Sequence, residues 1–134
     1  MIKLITGKRG SGKTKVLVDM IKEAAANTNG SVVCIEKSMQ LTYNIPSSVR
    51  LVDVDEYKID SYDKFYGFFS GTVASNYDIS DIFVDGILKI GGRNYDELAA
   101  LLDAADAIAK EINVVITVSE DVDNLPECVT KYIK

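Results

Sequence analysis

The sequence predicts an α/β fold with three layers, α/β/α, built around a mainly parallel five-stranded sheet. Strand-like and helix-like segments alternate along the chain. The strand segments are mostly continuous apolar runs, the pattern of a parallel sheet buried on both faces. No repeat, low-complexity segment or linker divides the 134 residues, which match the size of one domain.

Ile2–Thr6 reads as the first strand, followed by a glycine-rich loop. A helix is expected over Lys13–Asn27, where Val16, Leu17, Met20, Ile21 and Ala24 share one face, and Asn29-Gly30 stops it. Ser31–Glu36 is a β-branched, apolar second strand. Residues 37–48, with Pro46 and several polar side chains, read as a loop, and residues 49–54 as a short strand.

Residues 61–76 place Tyr62, Phe65, Tyr66, Phe69 and Val73 at helical spacing, although Gly67 and Gly71 oppose a helix there. Core packing accounts for this aromatic stripe more simply than stacking on a base, with Phe68 off the stripe. A strand is expected over 81–87 and a turn over 89–93. Asn94 then caps a helix, with Glu97 three residues on, a variant of the capping box. Its buried stripe is Leu98, Leu101, Leu102, Ala105, Ile108 and Ile112. Residues 113–119 form a further central strand, and a last short strand at 129–133 is expected to close the sheet.

Composition narrows the function classes. Apolar residues make up 47% and charged residues 26%, the balance of a soluble globular protein. No run approaches the roughly 20 apolar residues of a membrane span. The first strand, interrupted by Lys3, does not read as a signal peptide, so a cytoplasmic location is expected. A net charge of −5 and only three arginines, Arg9, Arg50 and Arg93, make nucleic acid an unlikely partner. With no histidine and with Cys34 and Cys128 far apart, a zinc site or a histidine-based triad is not expected.

One segment carries chemistry. Gly7-Lys8-Arg9-Gly10-Ser11-Gly12-Lys13-Thr14 fits the pattern G-x-x-x-x-G-K-[ST] at every position. Gly7 and Gly12 permit backbone angles that a side chain would block, and Gly10 adds freedom between them. The loop can then turn successive N–H groups towards phosphate oxygens at the positive end of the following helix. Lys13 is the residue that reaches the β- and γ-phosphates, and Thr14 offers its hydroxyl to magnesium. The predicted strand before the motif and the helix after it are the context the motif requires.

These residues resemble the P-loop NTPase superfamily, and the chain as a whole is similar to its minimal core. The resemblance implies bound ATP and Mg2+, and a second acidic residue ending an apolar strand. Asp85, in Asp81-Ile82-Phe83-Val84-Asp85, occupies that position and is the implied metal partner of Thr14. The extra strands between the two motifs resemble the additional-strand, RecA-like and AAA-like division. There a further strand ends in a polar residue that senses the γ-phosphate, and Thr117 and Ser119 are the candidates. Many hydrolysing members place a Glu directly after the Asp. Here that position is Gly86, so Glu36, at the end of the second strand, is the candidate catalytic base beside Lys13. Lys8 and Arg9 complete the phosphate-binding set. Arg9 and Arg93 are candidates for added positive charge.

Three functions follow. The first is a slow ATPase or a nucleotide-dependent switch, in which ATP orders loops such as 37–48 and 88–94. The second is a small-molecule kinase. The closing segment Leu-Pro-Glu-Cys-Val-Thr-Lys-Tyr resembles thymidine kinases, but the Glu after the Asp and the cysteine-bound zinc of that family are missing. The third is a non-enzymatic P-loop module that binds a protein partner or assembles into a homo-oligomer. The chain contains no Asn-Lys pair of the guanine-reading type, which favours ATP over GTP.

Overall fold

The computed structural model describes residues 1–38 and 44–133. Its sheet has five strands, all parallel: β1 (Ile2–Thr6), β2 (Ser31–Glu36), β3 (Arg50–Asp53), β4 (Ile79–Asp85) and β5 (Asn113–Val118). Across the sheet their order is β1-β5-β4-β2-β3. The last strand in the sequence is therefore inserted between the first strand and β4. Ile5 pairs with Thr117, and Val84 pairs with Ile116, so the carboxyl ends of the three strands lie together.

Alternation along the strands sends side chains to two cores. Ile2, Leu4, Val33, Ile35, Ile82, Val84, Val114 and Ile116 pack beneath α2 (Tyr62–Ser75), α3 (Ile87–Gly91), α4 (Tyr95–Ile108) and α5 (Glu127–Thr130). Val32, Cys34, Phe83 and Val115 face the other way, onto Leu17, Val18 and Ile21 of α1 (Lys13–Asn27). Each fully buried Leu or Ile on that helix contributes roughly 1.5–3 kcal/mol relative to exposure. Helices thus cover both faces, with α1 alone on one of them among the described residues.

Local chemistry fixes the helix starts. The Ser61 hydroxyl accepts from Lys64 N at 3.1 Å, and the Asn94 side chain accepts from Glu97 N at 3.1 Å. Ser61 and Asn76 are thus the caps of α2 and not its first and last turns. Tyr62, Phe65 and Phe69 are buried, whereas Tyr66 and Phe68 pack on the core from its margin. The stripe is core, as its spacing suggested.

Three expectations need correction. The strand expected over 81–87 starts earlier and stops at Asp85, because Gly86 takes a left-handed conformation with φ of 79°. The turn expected over 89–93, and most of the loop 88–94, is instead α3 and its cap. Ile87, Leu88 and Ile90 are buried, and burying them is what a helical turn here accomplishes. The closing strand expected over 129–133 is instead the end of the one-turn helix α5 and the turn after it, built on bonds from Thr130 N to Pro126 O and from Lys131 N to Glu127 O. Among the described residues a single bridge, Leu4 with Ile133, meets the β1 edge there. Of the loop expected over 37–48, residues 39–43 lie outside the described residues. Among the described residues no helix is long and apolar enough to cross a membrane.

The Asn94 cap gives a direct test of this local logic. Asn94→Ala should cost about 1 kcal/mol, read as a lower denaturation midpoint at unchanged slope, while Asn94→Asp should retain most of that stability.

Candidate functional site

The glycine loop leaves the carboxyl end of β1 and enters α1, whose N-cap, Gly12, has φ of 90° and offers no capping side chain. The first N–H groups of α1 are therefore not taken by a side-chain cap, the state in which a helix start attracts an anion. Gly7 has φ of 149°, and a Cβ there would stand 2.5 Å from Ser11 Oγ, so the tight fold of the loop requires glycine at this point. Gly7 N is tied to Glu120 O at 3.1 Å, and Ser11 N to Lys8 O at 3.1 Å.

Lys13 lies over the loop. Its ammonium donates to Lys8 O at 2.8 Å and to Ser11 Oγ at 3.3 Å, and the residue is only 8% exposed. Burial lowers its pKa; Asp85 acts the other way, and Lys89 lowers it further.

Asp85 ends β4 two strands from the loop, with β5 between. Thr117 of β5 fixes it. The Thr117 hydroxyl donates to Asp85 Oδ1 at 2.9 Å and accepts from Gly86 N at 2.7 Å. Donor and acceptor of one buried hydroxyl are both used, and they hold the strand end and its carboxylate in place.

The loop and the β4 end enclose a cavity of about 670 Å³. Arg9, Gly10, Gly12, Lys13 and Thr14 line it from the loop side, and Asp85, Lys89, Arg93 and Ser119 from the other. Of the residues predicted for the site, Gly7, Lys8 and Ser11 are not in this lining. Gly7 and Ser11 shape the loop from behind, and Lys8 points away to pair with Asp121 at 3.6 Å. Glu36 is beside Asp85 in the sheet, in register with it, but it is buried at 2% exposure and does not line the cavity. Of the two residues expected to sense a γ-phosphate, Thr117 bonds Asp85 and is not in the lining, and Ser119 lines the cavity.

The sequence reading missed Lys89, which looks like part of a turn until α3 forms and directs it to the cavity. It also missed Glu120. Arg93 Nη1 and Tyr95 Oη donate to Glu120 Oε2 at 2.6 and 2.7 Å. The hydrogen bond from Tyr95, with those from Asn124 and the Asp121 amide, holds the Glu120 carboxyl far below its usual range, at about 2. No signal in the sequence marks it, because its partners come from three separate segments.

A second cavity, about 540 Å³, lies at the opposite end of the sheet, between α1 and the amino ends of β1, β4 and β5. It has a more apolar lining, with Met20, Ala24, Phe83 and Val115, and no glycine loop.

A scan against protein-family models returns no match, and a search of curated proteins finds none that matches. Function therefore rests on the site's own chemistry.

The low pKa of Glu120 has a consequence for acid stability. A carboxylate whose folded pKa lies below its unfolded value stabilises the fold at pH values above the unfolded pKa. That contribution is lost as pH falls from the usual value of 4.5 towards about 2. Glu120→Gln should accordingly melt at a lower temperature than wild type at pH 7, with the gap closing between pH 4.5 and 2 in parallel melts.

Proposed function

We propose that the chain binds a nucleoside triphosphate, ATP in preference to GTP, with Mg2+, and works as a slow ATPase or nucleotide-dependent switch of the P-loop NTPase type. The observation that carries this reading is the meeting of Lys13 and Thr14 with Asp85 in one cavity. These residues come from opposite sides of the cavity and supply the parts that phosphate and metal binding need. Four cationic side chains, Arg9, Lys13, Lys89 and Arg93, share that lining with a single carboxylate. A lining of that sign suits a polyanion.

The strand order supports the finer, additional-strand form of the reading, because β5 separates the loop strand from the Asp85 strand. The lysine ammonium, bonded to the loop's own Lys8 carbonyl and Ser11 hydroxyl, exchanges those partners for phosphate oxygens when a nucleotide enters. Thr14 and Asp85, both on the cavity lining, would hold Mg2+, a hard cation that takes oxygen ligands. When bound there, Mg2+ neutralises charge on the β- and γ-phosphates. Thr117 keeps the Asp85 carboxylate aimed.

Slow turnover follows from what the site lacks beside Asp85. Gly86 provides no carboxylate to orient water, and Glu36, the alternative, is buried outside the cavity lining.

Calorimetric titration of ATP and GTP, each with Mg2+, into wild type and Lys13→Ala tests the reading, with phosphate release followed in the same samples. Wild type should bind ATP, and Lys13→Ala should bind at least about tenfold more weakly, the loss expected for charged hydrogen bonds. Release should stay below about 1 s⁻¹. Failure of wild type to take up either nucleotide would overturn the proposal, and faster release would overturn its slow form.

A further inference from the structure

Glu120 lies between the glycine loop and the turn that carries Arg93. Its backbone carbonyl accepts from Gly7 N. Its carboxylate collects four donors: Arg93 Nη1 at 2.6 Å and Tyr95 Oη at 2.7 Å on one oxygen, Asp121 N at 2.9 Å and Asn124 Nδ2 at 3.2 Å on the other. Arg93 is the more exposed partner of the ion pair, with a side chain 62% exposed against 19% for Glu120. It is also the member that lines the cavity with Lys13, Thr14 and Asp85. Arg93 thus pairs with a carboxylate and also borders the cavity.

A guanidinium recognises carboxylate and phosphate by the same planar fork, so two anions within its reach compete for it. The pair with Glu120 is open to solvent at the arginine end, and such pairs hold weakly. We propose that Arg93 exchanges Glu120 for the terminal phosphate of a bound nucleoside triphosphate, so that the triphosphate and diphosphate states differ in whether the Glu120 cluster is intact. The proposal rests on the nucleotide reading of the cavity and names how that site is regulated. The exchange leaves the Glu120 carboxylate with its three other donors, Tyr95 Oη from the first turn of α4 and Asp121 N and Asn124 Nδ2 at the 3₁₀ turn Val122–Asn124, and with no cation paired to it. A ligand shifts such an equilibrium only by its difference in affinity for the two states, and the γ-phosphate is the group that provides the difference. The side chains of Lys8 and Asp121 meet beside the cluster, so the loop itself borders it.

The test compares Mg-ATP and Mg-ADP by calorimetry in wild type, Arg93→Gln, Arg93→Lys and Glu120→Gln. Arg93→Gln should weaken ATP about tenfold and leave ADP unchanged, the loss of a charged hydrogen bond to the terminal phosphate alone. Arg93→Lys, which keeps the charge without the fork, should recover part of that loss. Glu120→Gln removes the competing anion and should tighten ATP about two- to fivefold, again with ADP unchanged. Equal effects on both nucleotides, or weaker ATP binding by Glu120→Gln, would overturn the exchange and leave the phosphate site standing. Wild type that binds neither nucleotide overturns both.

Discussion

In a sheet whose five strands all run in one direction, every carboxyl end falls on one edge, and loops leaving that edge are brought together whatever their separation in sequence. Crevices outside those ends are where open α/β sheets hold ligands. Here the insertion of β5 between β1 and β4 sets the spacing of the site. The glycine loop and Asp85 stand two strands apart, which opens a cavity between them instead of packing one against the other. α1 then lies over the central strands through Leu17 and Ile21, so the apolar face that anchors this helix also fixes the direction of its amino end.

The inserted strand contributes more than distance. The Thr117 hydroxyl is buried, and it bonds simultaneously to the Asp85 carboxylate and the Gly86 amide. An apolar side chain of similar size would leave a buried N–H without its partner, a cost on the order of 1–3 kcal/mol. The same hydroxyl therefore closes the backbone accounts at the end of β4 and aims the one carboxylate of the cavity. Ser119 and Glu120 follow directly, so a single strand end supplies the brace, a lining residue and the anion that holds Arg93.

How much of this was legible depends on whether the information was local. Ile2–Thr6 and Ser31–Glu36 are read to the residue because continuous apolar runs end at glycine or polar residues. Asn94 and Glu97 announce a helix start in four residues. α3 escaped because Ile87, Leu88 and Ile90 are too few to show a period, and Gly91-Gly92 reads as a turn. The closing strand failed because residues 129–133 are apolar enough for a strand yet follow Pro126, whose carbonyl accepts the first bonds of a helical turn. The glycine-rich motif is equally local, eight consecutive residues with fixed spacing. Lys89 and Glu120 are not, since each acquires its neighbours only once α3 and β5 are folded against the loop.

Net charge misleads for a related reason. The chain carries −5, yet its cavity holds Arg9, Lys13, Lys89 and Arg93 around Asp85. Local potential is set by position and not by the sum over the molecule. Crowding of this kind is unfavourable in itself: burial and the Lys89 charge both press the Lys13 ammonium towards its neutral form, and Asp85 resists only in part. A polyanion reverses the sign of that interaction, relieving repulsion among the cations while it satisfies their donors. Arg93 is the cation with an outlet, because Glu120 neutralises it at the rim. Its present partner is thus an anion, whereas Lys13 is buried and bonded to neutral groups of its own loop.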